Sequence, residues 1–363
     1  MEAKVQKRQM GGTQQQPVLM IDGRVIGPGH PPYVIAELSG NHNGSLERAL
    51  QMVDVAADTG ADAIKIQTYT ADTLTIACDR PDFRITGGLW DGYTLHDLYK
   101  EAYTPYEWHA AIFERARKRG ITLFSTPFDE SAIELLEGLG APAYKIASFE
   151  IVDLPLIARV ARAGKPMIIS SGLANLGEIS EAVDAARNGG ADGVALLHCI
   201  SSYPAPIEDA NVRTVPHLAE AFGVVGGLSD HTPGSAAAVA SVVLGGSIVE
   251  KHMTLARADG GPDAAFSLEP DEFRALVSDC HNAWAALGRV HYDLEGCERG
   301  NIVFRRSLYA VQPIGEGEAF SASNVRSIRP GHGLPPKHLP DLIGRKATRA
   351  IAYGEALDWS MIR

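Results

Sequence analysis

Two lysines, two histidines and several carboxylates recur at one kind of place in this chain, the C-terminal ends of short β-branched runs. Glu37 closes the first run, Lys65 and Gln67 lie in the second, and Ser125 and Thr126 end the third. Lys145, Ser148 and Glu150 follow in the fourth, and Ser170 and Ser171 in the fifth. The sixth carries His198 and leads to Ser201 and Tyr203, the seventh ends in Ser229-Asp230-His231, and the eighth holds Glu250 and His252. Lysines set among hydroxyls suit a phosphate or a carboxylate. Two histidines without a thiolate suit an exchangeable, Mn²⁺-like ion better than structural zinc. Asp263, in the Arg-Ala-Asp-Gly-Gly-Pro-Asp loop after the eighth run, is a candidate hydroxyl ligand or proton carrier, or else a turn residue. For each charged residue a structural ion pair competes with function, with Lys65–Glu37 and Lys145–Glu150 as the natural pairs. Lys145 on a central strand also fits a Schiff-base aldolase.

Such residues need a scaffold. The eight runs fall at 33–38, 63–69, 121–127, 143–149, 167–171, 193–200, 224–229 and 247–255. Segments of helical period separate them, several ending in Gly, the usual left-handed stop. Eight strand–helix units over about 250 residues is the size of a (β/α)₈ TIM barrel, whose reacting groups sit at strand C-termini. No Gly-x-Gly-x-x-Gly follows the first run, which disfavours a doubly wound sheet. Residues 18–29 read as a hairpin turning at Asp22-Gly23. The barrel is expected over 18–288, a linker over 289–302, and a small β-rich domain over 303–363.

Charge supports that division. The 363 residues carry a net charge of −11, yet 303–363 holds nine basic and five acidic residues, a local +4. The rest therefore holds 24 basic and 39 acidic residues, a net −15. An acidic chain makes nucleic acid an improbable partner. Residues 1–17 are expected to be a disordered tail; they have no apolar core of a secretory signal. The longest stretch without charge is interrupted by Pro233, Gly234, Gly245 and Gly246, so no membrane span is expected. Four cysteines without Cys-x-x-Cys spacing fit reduced thiols and a cytoplasmic location.

In order, the stretches AELSGNHNGSLERAL, AIKIQTYTADT, FSTPFDESA, AYKIASFEI, GKPMIISSGLA, LLHCISSYPAP, GLSDHTPG, SIVEKHMTL and RADGGPDAAFSLEP resemble the sialic acid synthase family, most nearly its pseudaminic acid synthase branch. The tail, FRRSLYAVQPI through SIRPGHGLPPK to LIGRKA, resembles the antifreeze-like (SAF) domain that ends such enzymes. The resemblance implies condensation of phosphoenolpyruvate with the open-chain aldehyde of an amino sugar, giving a nonulosonic acid and phosphate. It implies a divalent metal, Mn²⁺ or Mg²⁺, on His231 and His252. Lys65, Thr126, Lys145, Ser148, Ser170, Ser201 and Ser229 fall at phosphoenolpyruvate positions, and Glu37, Tyr203 and Asp263 at sugar positions. Glu150 falls near the reacting carbons. Arg329 matches an arginine that reaches across a homodimer to the partner's sugar site.

Departures from the family pattern bear on the sugar. Ser201 stands where sialic acid synthases have Asn, Phe149 where they have Gly, and Trp90-Asp91 where an Asn meets the sugar. Ser171 and Leu173 replace a more usual Thr and Met. Phe149 and Trp90 make the pocket more apolar, which suits a 6-deoxy sugar better than N-acetylmannosamine. N-acetylneuraminate or legionaminate synthesis is the nearest alternative, and a non-catalytic sugar sensor a remoter one.

Overall fold

The computed structural model describes residues 16–363, so the tail expected over 1–17 lies almost wholly outside the described residues. Two compact units divide the chain, Met1–Gly288 and Arg289–Arg363.

In the first unit, β1 (Leu19–Ile21) and β2 (Arg24–Ile26) form the expected hairpin. Its turn residues Asp22 and Gly23 have φ of 50° and 79°, the left-handed pair that a two-residue hairpin turn needs. Eight strands follow: β3 (Tyr33–Glu37), β4 (Ala63–Thr68), β5 (Thr122–Pro127), β6 (Tyr144–Ile146), β7 (Met167–Ser170), β8 (Val194–Cys199), β9 (Val225–Asp230) and β10 (Ile248–His252). They close into one barrel in sequential order, with β10 parallel to β3. All eight lie within the expected runs or a residue beyond them.

Alternation along these strands sorts the barrel interior into two levels. Toward the strand N-termini, Tyr33, Ile35, Ala63, Phe124, Ile168, Leu197, Val225 and Ile248 form one buried apolar cluster. Leu19, Ile21 and Ile26 belong to the same cluster, so the hairpin plugs the barrel floor. The fit there is close: a Cβ on Gly227 would lie 2.4 Å from the Ile248 carbonyl oxygen, and one on Gly193 2.6 Å from a Leu19 methyl. Outside, amphipathic helices bury their apolar faces against the strands. Helix Leu46–Thr59 shows why they form, with Ser45 capping the amide of Arg48 and Gly60 ending it at φ 86°.

The barrel carries one large insert, between β4 and helix Tyr106–Arg119. It contains the short helices Ala71–Leu74 and Leu95–Ala102, a 3₁₀ turn Pro81–Phe83, and a tight loop in which Ile85 N–H donates to the Tyr93 carbonyl. None of these elements is expected from the sequence.

In the second unit, β11 (Ser307–Ala310) pairs antiparallel with β12 (Val325–Ile328), and further bridges join Tyr309 to Ala356 and Ile314 to Ile351. Leu308, Phe320, Val325, Ile351 and Leu357 centre its small core. The stretch expected as a plain linker is not featureless: a 3₁₀ run covers Gly296–Phe304. No helix among the described residues is long and apolar enough to cross a membrane.

Candidate active site

Above the apolar level, every barrel strand turns a polar residue inward: Glu37, Lys65, Thr126, Lys145, Ser170, Cys199, Ser229 and Glu250, all buried. The two lysines lie at its centre. Lys65 Nζ forms an ion pair with Glu37 Oε2, donates to Thr126 Oγ1 at 3.3 Å and lies 3.7 Å from Glu250 Oε1. Lys145 Nζ donates to Ser170 Oγ at 2.7 Å and lies 3.4 Å from the same Glu250 oxygen. Glu250 therefore bridges both ammonium groups, and Ser229 Oγ donates to it at 3.1 Å. The structural pairing of Lys65 with Glu37 is present, whereas the expected Lys145–Glu150 pair is replaced by Lys145–Glu250.

Electrostatics follow from this sharing. Burial penalises the Lys65 ammonium, but Glu250 and Glu37 outweigh it and hold its pKa above the usual range. For Lys145, burial and the charge of Lys65 prevail over Glu250, and its pKa is lowered. Glu250 is opposed by burial yet stays acidic because both lysines stabilise its charge. Oε2 of Glu250 has no hydrogen-bond partner.

A cavity of about 420 Å³ opens over this level. Lys65, Lys145, Ser148, Glu150, Ser170, Tyr203, Ser229, His231, Glu250, His252, Asp263 and Trp90 all line it. Glu37, Thr126 and Ser201 do not form its wall. Glu37 braces from behind, where Oε1 accepts from Ser39 N, Ser39 Oγ and Gln67 Nε2 at 3.0, 2.8 and 3.3 Å. Thr126 touches Lys65, and Ser201 faces Gly172. A Cβ on Gly172 would lie 2.2 Å from Ser201 Oγ and 2.7 Å from Ser148 Oγ, so only glycine permits these hydroxyls to converge.

Two further carboxyls titrate near neutrality. Burial pushes Glu150 up to about 7 against the pull of Lys145, and leaves its Oε2 without a partner. Burial and the nearby Glu37 charge push Asp263 up to about 6, although Gly40 N–H donates to it at 3.3 Å.

The two histidines lie side by side at the ends of adjacent strands. Their ring centroids are 5.3 Å apart. His231 Nδ1 donates to the Ile200 carbonyl at 3.0 Å; burial opposes its charge, but Cys199, this carbonyl and Glu250 raise its pKa, and in the neutral ring Nε2 carries the lone pair. His252 Nδ1 is buried without a partner, and burial with the neighbouring positive groups keeps this imidazole neutral, the ligating form. Among the described residues no group of three or more His, Cys, Asp or Glu is arranged to hold a metal. Two imidazoles alone do not make a closed structural zinc site. A buried brace lies behind both: Lys251 Nζ donates to Asp230 Oδ2 at 2.7 Å, and Asp230 Oδ1 accepts from Thr232 N and Oγ1. It pins the tips of β9 and β10 on either side of the histidines.

Tyr203 packs against His231 with ring centroids 4.3 Å apart and planes tilted by 46°, and meets Phe266 at 5.2 Å. Trp90 lies 5.7 Å from Tyr203, and its Nε1 donates to the Pro262 carbonyl at 2.9 Å. Phe149 also lines the cavity, whereas Leu173, at φ 66°, is exposed. His198 does not join the ring. It faces the outer layer, with Nε2 donating to the Ala210 carbonyl at 2.8 Å. Strand alternation turns Cys199 inward instead, its Sγ 3.8 Å from His231 Nδ1. Cys199 is not among the polar residues singled out in the sequence, although the period-two set Ala195, Leu197, Cys199 points it to the ring. Arg329 lies in the second unit, exposed, just after β12.

Comparison with known proteins bears on the same residues. Residues 52–292 match the NeuB family and residues 305–363 the SAF domain. A pseudaminic acid synthase of Campylobacter jejuni is 46% identical over 91% of this chain and 96% of its own length. One from Helicobacter pylori is 43% identical over 88% and 95%. The crystal structure of an N-acetylneuraminic acid synthetase from Leptospira borgpetersenii, in complex with citrate, superposes with a TM-score of 0.70. It is 31% identical, covering 80% of this chain and 97% of that one. Two N,N'-diacetyllegionaminic acid synthases are more distant, at 35% and 32% identity. The chain belongs to the NeuB family, a sialic acid synthase-type (β/α)₈ barrel followed by a SAF domain.

Proposed function

We propose that the protein is a pseudaminic acid synthase. Carbon 3 of phosphoenolpyruvate attacks the aldehyde carbon of 2,4-diacetamido-2,4,6-trideoxy-L-altrose, water adds at carbon 2, and phosphate leaves with cleavage of its C–O bond. The observation that carries this reading is the cavity floor: two buried ammonium groups among hydroxyls, in the same cavity as two histidines, of which His252 keeps Nδ1 unpartnered. That arrangement suits a small anion meeting a carbonyl, and the pseudaminic acid synthases among the relatives favour this sugar over N-acetylmannosamine.

Lys65 and Lys145 hold the carboxylate and phosphate, with Ser148, Ser170, Ser201, Ser229 and Thr126 supplying or supporting hydroxyl contacts. A divalent ion, Mn²⁺ or Mg²⁺, on His231 and His252 would supply Lewis-acid polarisation of the aldehyde. Glu150 takes the proton from the attacking water, because its free oxygen and pKa near 7 suit a base at neutral pH. Glu37 is the poorer candidate, since both its oxygens are engaged. Its part is to hold Lys65. Tyr203, Trp90 and Asp263 orient the sugar. The reading extends to a cytoplasmic homodimer, in which Arg329 reaches the partner's sugar.

The test offers Mn²⁺, phosphoenolpyruvate and one of three sugars: the altrose derivative, its legionaminic counterpart or N-acetylmannosamine. Product mass and released phosphate identify the substrate. Preferred turnover of N-acetylmannosamine would overturn the sugar assignment. A borohydride-trapped pyruvate adduct on Lys145 would overturn the mechanism in favour of an aldolase.

A further inference from the structure

The cavity has two chemically distinct walls. Its floor is made by barrel strands and is polar throughout. Its outer wall is made largely by the insert after β4, where Leu74, Ile85, Leu95, Leu98 and Ala102 line the space together with Phe128. These six side chains contain no polar atom, while Tyr69, Trp90 and Tyr99, which line the same side of the cavity, carry one each. Leu74 and Leu98 lie on the two short helices of the insert, and Ile85 is held by its backbone hydrogen bond to Tyr93. Tyr69 closes the wall, with its ring 5.2 Å from Phe128 and 6.0 Å from Tyr99. Leu74, Ile85 and Leu95 are only half-buried, so they present apolar surface to whatever fills the cavity.

We infer that this wall is an apolar subsite for the far end of the sugar, and that it takes the carbon-6 methyl group. The inference rests on the synthase reading and adds to it the element that selects a deoxy substrate. With its aldehyde at the histidines and the lysines occupied by phosphoenolpyruvate, the open-chain sugar has its opposite end free to reach the insert. A hydroxyl set against Leu74, Ile85 and Leu95 would lose water without gaining a partner from those side chains, and an acetamido group would lose more. A methyl group loses nothing and gains burial.

The experiment is an internal competition. The full chain, with Mn²⁺ and phosphoenolpyruvate, receives equal amounts of the 6-deoxy sugar and the same sugar bearing a carbon-6 hydroxyl. Products differing by one oxygen atom are counted by mass spectrometry. Their ratio reports relative kcat/KM and does not depend on how much enzyme is folded. An apolar pocket discriminates against an added hydroxyl by about 10- to 100-fold, and the unaltered protein should show that preference. Ile85→Asn and Leu95→Gln should each lower it by about tenfold, while Leu95→Met should keep it. If both polar variants retain the ratio within about twofold, the subsite is wrong and the synthase reading stands. If the unaltered protein makes product from neither sugar, the synthase reading falls and the subsite with it.

Discussion

The lower and upper levels of the barrel interior are built by the same eight strands, two residues apart, yet obey opposite rules. Below, Ile35, Ala63, Ile168 and Ile248 pack with the hairpin plug into a dry core. Above, Glu37, Lys65, Ser170 and Glu250 occupy the next inward positions on those strands, equally buried but charged or hydroxylic. A single period of two therefore produces both a core and a site. The difference shows how stability and chemistry are kept apart: the floor holds the strands in register so that the upper level can retain ions which burial opposes.

That contrast can be broken in three ways. The largest effect is expected above. His231→Ala, or exhaustive chelation of the unaltered protein, should abolish product formation while leaving the thermal transition in place; Mn²⁺ should restore activity only to the chelated protein. Undiminished turnover after chelation would remove the two-histidine site from the reaction. Next comes the floor. Ile21→Ala should cost about 2–5 kcal/mol in denaturant unfolding, yet leave turnover per folded molecule near that of the unaltered protein. A loss of turnover larger than the loss of folded protein would show that the two levels are not independent.

The smallest effect sharpens the assignment of the base. Glu150 must be ionised to accept a proton, and its pKa is about 7, so kcat/KM should fall as pH drops below that value. Glu150→Gln should lower the rate by about 100-fold and remove this acid limb. Asp263→Asn should leave the limb near 7 in place, because Asp263 titrates lower, at about 6. A limb that survives Glu150→Gln would move the base elsewhere.

Much of this arrangement was legible in the sequence. Polar residues ending eight β-branched runs marked the barrel and most of its upper level, because a strand buried on both faces has no other reason to carry Lys65 or Lys145. His231 and His252 could be paired because they end consecutive strands, which are neighbours in a barrel. Other features were hidden. Lys145 was expected beside Glu150, its near neighbour in sequence, but strand geometry points it across the barrel to Glu250. His198 stands out as the polar residue of the sixth run, yet parity turns Cys199 inward instead. The insert showed no clear periodicity, since its helices Ala71–Leu74 and Leu95–Ala102 are too short to display one.

The sequence alone determined the number and order of the strand–helix units, the plugged floor's apolar character and most residue types of the polar ring. These depend on local period and composition, which a linear reading contains. Tertiary structure alone decided which carboxylate serves which lysine, that Glu37 braces while Glu150 keeps a free oxygen, and that an apolar insert forms the outer wall of a polar cavity. Those outcomes depend on distances across a closed barrel, where side chains remote in sequence compete for the same partners in a space from which water is excluded.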